Sequence, residues 1–309
     1  MNTVNYMVNK LQKRIEEVER LKNKRKKQSV LVIQQFPIET TLEINFPSLR
    51  ESIMHIIVFL EIGNVDTLKT LYPFFKNKFD YILFDNDNKI KNSLSLLDFC
   101  DKHMINEKIF YYSDLNTWAD STISFLNQTI NGIHGKNILI NGSGALHEII
   151  ITKMRLCNSN LFDHNLHADA IIGSTIMNFS TDVDMIKFVN KETKIYDIGI
   201  GNFSADFIKE VRNIGADLYR IDIRAGISSS IINILETDFL INNLMGLTKI
   251  NKTIVVAGGI LGKENSVVVD NIKNPNYILG IADGSGKFKK EISMLNKKDI
   301  KTVHNLIND

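Results

Sequence analysis

The sequence is poor in residues that cross-link or punctuate a chain. Its 309 residues include two cysteines, Cys100 and Cys157, in neither a C-x-x-C pair nor a metal-ligand spacing. That excludes a disulfide scaffold and makes a reducing cytoplasm the expected setting, with no metal site. Four prolines and no Gly/Ser-rich stretch leave no flexible linker, so any domains are expected to meet through a helix, placed at 115–133. The formal net charge of +2 demands neither nucleic acid nor an anionic membrane, and neither is expected as a partner. The longest apolar run, near "IMHIIVFLEI", is too short and interrupted to cross a bilayer, and the first residues lack a signal peptide's apolar core.

What is present is enough apolar sequence to bury a core, 44% of the chain, over a length that suggests two domains. Residues 4 to 21 set Val4, Met7, Val8, Leu11, Ile15, Val18 and Leu21 on one helical stripe, with basic residues in "KNKRKK" just after it. This N-terminal amphipathic helix (1–28) is expected to pack on its own domain or on a second subunit, and an exposed stripe would make the protein a homo-oligomer. From Ser29 to about residue 133 short apolar strands alternate with helices. "HIIVFLEIG" (55–63), "YILFDND" (81–87) and "KIFYYSD" (108–114) are separated by "VDTLKTLYPFFKNK" and "SLLDFCDKH" and followed by "TWADSTISFLNQTI". The fold class is α/β: a smaller α/β domain (29–133) preceding a Rossmann-like, parallel-sheet cofactor domain (134–309).

The second domain opens with "GKNILINGSGALHEIIITKM". A strand runs into Gly142, Ser143, Gly144 and Ala145 and then a helix, the setting in which backbone amides receive an anionic ligand. His147 stands at the third glycine position of G-x-G-x-x-G, and Asp163, in "NLFDHNLH", does not end a convincing strand. The usual acid on an adenosine ribose is therefore missing, which counts against an ordinary NAD site. His164 and His167 in the same segment read as loop residues rather than metal ligands. "ADAIIGST", "KIYDIGIGN", "DLYRIDIRAG" and "TIVVAGG" then follow as regularly spaced strands of one parallel sheet, with ligands expected at their carboxyl ends.

Two readings of that rim stay open. In one, Asp197-x-Gly199-x-Gly201 admits the methionyl part of S-adenosylmethionine and Asp222, ending the next strand, accepts from its ribose. In the other, "ADAIIGST" and "KIYDIGI" resemble late strands of folate, shikimate and amino-acid dehydrogenases, and Asp197 is structural. The region 137–287, with "IYDIGIGNFSADF", "LYRIDIRAG" and "VVAGGILGKENSVVVDNIKNPNYILGIADGSG", resembles the archaeal HcgC family. Its members look like NAD-binding proteins yet methylate the pyridinol precursor of the iron-guanylylpyridinol cofactor of iron-only hydrogenase. The resemblance implies a methyltransferase for a small-molecule substrate, a hydroxypyridine, with S-adenosylmethionine as cofactor. On it, Gly142, Ser143, Gly144, Ala145, Ser174, Thr175, Gly199, Gly201 and Asp222 hold the cofactor, and Arg224 and Ser228 hold an acidic substituent of the substrate. The catalytic base stays unassigned, His147 reading better as a packed helix residue. The alternatives are an NAD(P)-dependent oxidoreductase acting on an amino or hydroxy acid and a non-catalytic scaffold that kept the fold.

Overall fold

The computed structural model describes residues 3–36, 44–87, 89, 93–161, 167–174, 183–199 and 201–308. The chain forms two compact units, 1–231 and 232–309, and the first contains two sheets.

The first sheet follows helix α1 (Thr3–Arg25). Its strands are β1 (Gln28–Gln35), β2 (Ile44–Asn45), β3 (Arg50–Glu51), β4 (His55–Ile62), β5 (Tyr81–Asp85) and β6 (Ile109–Tyr112), with helices α2 (Val65–Phe75) and α3 (Ser93–His103) between the later ones. β4, β1, β5 and β6 lie side by side and parallel, and β2 and β3 pair antiparallel with the outer edge of β4. Strands covered on both faces read as continuous apolar runs, and "SVLVI" and "HIIVFL" do so. Met7, Leu11, Ile15 and Val18 of α1 are buried in one core with Leu31, Ile33, Leu68 and Leu71. Of the two expected surfaces, its own domain or a second subunit, the described part of the stripe packs on the first; the side chain of Val4 lies outside the described residues.

The second sheet is reached through α4 (Asp114–Thr129) and comprises β7 (Asn137–Asn141), β8 (Asn160–Leu161), β9 (Ala170–Gly173), β10 (Lys194–Ile198) and β11 (Asp217–Ile221), with α5 (Ala145–Leu156) and α6 (Ala205–Ile214) as crossovers. All its pairings are parallel, in the order β11-β10-β9-β7-β8. This is a doubly wound arrangement whose strand order reverses between β7 and β9. The first sheet's parallel strands reverse in the same way, between β1 and β5. α7 (Arg224–Phe239) begins after β11. At Gly226 an added Cβ would stand 2.6 Å from the Thr117 carbonyl oxygen and from Ser121 Oγ, so only glycine lets α7 approach α4 this closely.

Residues 232–309 carry a sheet of their own: β12 (Gly246–Ile250), β13 (Thr253–Ala257), β14 (Val267–Val269) and β15 (Ile278–Ile281), closed by α8 (Met294–Asn308). "TIVVAGG", expected as a further strand of the parallel sheet, is β13 and pairs antiparallel with β12 and parallel with β14. Its apolar residues Val255 and Ala257 are buried with Val267, Ile281 and Val303. The segment read as the tail of a 134–309 domain is therefore separately cored.

Candidate functional site

At a strand-order reversal the loops leaving two adjacent strands diverge to opposite faces of the sheet and open a crevice at the carboxyl ends. Unit 1 has two such crevices.

In the second sheet the crevice lies between the ends of β7 and β9. β7 leads into Gly142 (φ 150°) and Gly144 (φ 91°); the latter is the N-cap of α5 and supplies no side-chain cap. An ideal Cβ on Gly144 would meet nothing within 4 Å, so its backbone faces open space above uncapped helix amides, which suits an anionic group. Ser174, buried at the end of β9, is engaged within the protein: its hydroxyl lies 2.8 Å from His147 Nδ1 and donates to the Asn141 carbonyl at 3.2 Å. His147 is accounted for by this tie. Thr175, Asp163 and His164 lie outside the described residues.

The remaining rim residues have structural partners. Asp197 accepts from the Gly201 amide at 3.2 Å and from Asn202 Nδ2 at 2.6 Å, which ties Gly201 and Asn202 back to β10. Asp222 accepts from the Arg224 amide at 2.9 Å, pairs with Arg224 Nε at 2.6 Å, and lies 3.7 Å from Arg50. Its carboxylate begins α7, three residues earlier than the expected start near Ile227. Asp222→Ala should therefore cost about 1 kcal/mol of stability, the usual loss of a helix cap, read as a shift in the urea midpoint at unchanged slope. A wild-type midpoint would show that these contacts do not hold α7. Ser228 is half-buried within α7, away from the helix start.

The second crevice, in the first sheet, holds a cluster that the sequence reading did not single out. β1 ends in Gln34 and Gln35, β5 ends in Asp85 and leads through Asp87 to Lys89, and β6 leads into Asp114, the first residue of α4. Lys89 Nζ lies 2.8 Å from Asp85, 2.5 Å from Asp114 and 3.7 Å from Asp87. The Lys89 side chain is 10% exposed and the Asp85 side chain not at all. Gln34 Nε2 donates to the other Asp114 oxygen at 2.6 Å. Asp85 also accepts from the Gln35 and Asp87 amides. Burial pushes the Asp85 carboxyl up to about 6, Lys89 opposing and Asp114 adding to the rise. Burial works against the charge on Lys89, but the carboxylates of Asp114 and Asp85 outweigh it and hold the ammonium above its ordinary pKa. Lys89 is thus a cation at neutral pH, tightly held by carboxylates.

A cavity of about 580 Å³ runs from this second crevice to the second sheet; its lining includes Gln35, Glu61, Lys89, Asp114, Gly199 and Asp222. That volume suits a small polar molecule or part of a cofactor. A positioned ammonium beside a carboxylate can donate a proton or hydrogen bond to an oxygen gaining charge and take it back in reverse. Among the described residues no cluster of His, Cys, Asp or Glu has the geometry to hold a metal ion, and no helix is long and apolar enough to cross a membrane.

No family model matches the sequence, and no curated protein matches it. Among solved structures the chain is similar to a shikimate dehydrogenase in complex with NADP+, at 12% identity over 68% of this chain and 96% of that one, with a TM-score of 0.33. It is similar to a chorismate mutase/shikimate 5-dehydrogenase fusion protein from Clostridium acetobutylicum at 13% identity, 68% and 98% coverage and a TM-score of 0.30. An unliganded arylmalonate decarboxylase follows at 8% identity, 66% and 92% coverage and a TM-score of 0.27. Likenesses this distant assign no activity to the chain; its α/β class stands on its own sheet topology.

Proposed function

We propose that the chain is an NAD(P)-dependent oxidoreductase acting on a small polar acid in the cavity of its first unit. The observation that carries this reading is Lys89, held between Asp85 and Asp114 at the cavity wall. Oxidising a carbinol or amine requires a group that accepts the heteroatom's proton, and reduction requires one that returns it. The Asp114 carboxylate is the group placed to take that proton and to return it, with the Lys89 ammonium donating a hydrogen bond to it and Gln34 fixing its orientation. Bound NAD(P) supplies the hydride acceptor or donor. The Gly142–Ala145 turn and the uncapped first amides of α5 fit its pyrophosphate.

Two observations favour this reading over methyl transfer from S-adenosylmethionine to a pyridinol. β8 pairs parallel with β7, a second strand that the sequence pattern does not predict; in sequence, Asp163 stands just past it and about 20 residues beyond the glycines, as a ribose acid does. Conversely Asp197 and Asp222, the two acids of the methyltransferase reading, are engaged by Asn202 and by Arg224 and Arg50.

The test is thermal unfolding of the full chain with NADPH, NADH or S-adenosylhomocysteine. A nucleotide at 100 times its dissociation constant should stabilise the fold by about 2.7 kcal/mol, and NADPH or NADH should do so where S-adenosylhomocysteine does not. A shift with S-adenosylhomocysteine alone would restore methyl transfer, and no shift with any of the three would leave a fold without its nucleotide site.

A further inference from the structure

The charged groups of the cavity fall into two clusters of opposite sign. Glu61 and Asp114 line the cavity beside Lys89, two carboxylates to one ammonium, and Asp85 and Asp87 hold that ammonium from behind the wall. Arg50 and Arg220 line it beside Asp222, two guanidinium groups to one carboxylate, and Asp222 pairs in addition with Arg224 outside the lining.

Glu61 and Gln35 show what the acidic cluster lacks. Glu61 accepts from Asn45 Nδ2 at 2.7 Å, and no ion pair to it forms among the described residues. Burial raises its carboxyl above the ordinary range, the Asn45 bond opposing and Asp114 adding to the rise. Gln35 is 4% exposed and lines the cavity. Its Nε2 donates to the Asp85 carbonyl at 2.7 Å, which fixes the amide's orientation, and its buried Oε1 has no partner. A buried acceptor left without a donor costs roughly 1–3 kcal/mol, a cost that a ligand with a donor to spare removes.

We propose that the cavity binds a zwitterion, a small amino acid whose ammonium group lies against Glu61 and Gln35 and whose carboxylate lies toward Arg50 and Arg220. This rests on the oxidoreductase reading and selects the amino acid over the hydroxy acid as its substrate. An ammonium brings three donors and a positive charge to a wall of acceptors. A 2-hydroxy acid brings one donor and a net negative charge, which the carboxylate-rich cluster opposes.

Calorimetry on the full chain tests it with matched pairs: L-alanine and L-lactate, L-serine and L-glycerate, L-glutamate and L-2-hydroxyglutarate, L-phenylalanine and L-phenyllactate. At least one amino acid should bind tenfold or more tightly than its hydroxy partner. Glu61→Gln, which keeps the shape and removes the charge, should abolish that preference at unchanged NADPH response. Gln35→Met, should Glu61→Gln fail to fold, should weaken the amino acid at least threefold. Hydroxy acids that bind as well, a preference that survives Glu61→Gln, or a panel in which no amino acid binds would each overturn the proposal. Amino-acid binding lost in Glu61→Gln, in a protein that ignores NADPH and NADH, would keep the zwitterion site and remove the oxidoreductase reading.

Discussion

Lys89→Met should destabilise the protein by about 3–5 kcal/mol at pH 7, the cost of removing one partner from a buried ion pair, and should abolish turnover. Methionine replaces much of the lysine stem, so little of the loss comes from packing. It comes from Asp85, Asp87 and Asp114, which would face one another without the ammonium that lies within 4 Å of all three. The pH dependence gives the mechanism away. In the wild type the folded Asp85 carboxyl titrates at about 6 against an ordinary 3.8, so between those values the folded state binds more protons than the unfolded one. Stability at this site is thus fullest below the unfolded pKa and is lost as pH rises through the folded one. Removing Lys89 takes away the group that opposes the rise. The gap between variant and wild type should accordingly narrow as pH falls from 7 to 5. Urea unfolding at both pH values measures it; a gap that widens in acid would mean that Lys89 is not the counter-charge of these carboxylates.

Leu11→Ala should cost about 2–5 kcal/mol, the range for truncating a buried leucine, without changing the subunit number. Leu11 is fully buried in one core with Leu31, Ile33, Leu68 and Leu71, so α1 is part of the first sheet's covering layer. The cavity left by the missing methyl groups would sit between a helix and a parallel sheet, neither of which can collapse freely. Urea unfolding and light scattering on the same variant separate this from packing across subunits. A variant of wild-type stability whose mass falls would assign the stripe to a second copy.

The legible parts of the molecule were its long periodic segments. "HIIVFLEI", "YILFD" and "KIYDI" carry the apolar runs of buried strands and form β4, β5 and β10. β8 escaped because two residues, one of them Asn160, are too few to show a period. In the structure β8 pairs parallel with β7, while Asp163 lies outside the described residues. "TIVVAGG" was legible as a strand but not as a member of a sheet, since burial writes the same residues into a parallel or a mixed neighbourhood. The Lys89 cluster escaped for a different reason. Asp85 and Asp114 stand at or just past strand ends as Asp197 and Asp222 do, yet only the second sheet carries glycine turns beside them, and Lys89 belongs to no periodic segment. Which strand-end acids face the cavity's ammonium depends on side-chain contacts that spacing alone does not show: Asn202 and Arg224 hold Asp197 and Asp222, while Lys89 lies between Asp85 and Asp114.

α4 leaves the cluster at Asp114 and runs 16 residues, about 24 Å at 1.5 Å per residue, before β7 brings the chain back to the glycine turn. This excursion acts as a ruler. Thr117 and Ser121 on one side of it meet Ser230 and the Ile223 carbonyl, so a residue added inside the helix would rotate one end against the other by about 100° and turn those contacts away from α7. A residue added in the turn between Thr129 and Asn137 would rotate nothing. Length changes during evolution are therefore expected in that turn, while the helical span between the Lys89–Asp114 ion pair and the turn keeps its number of residues.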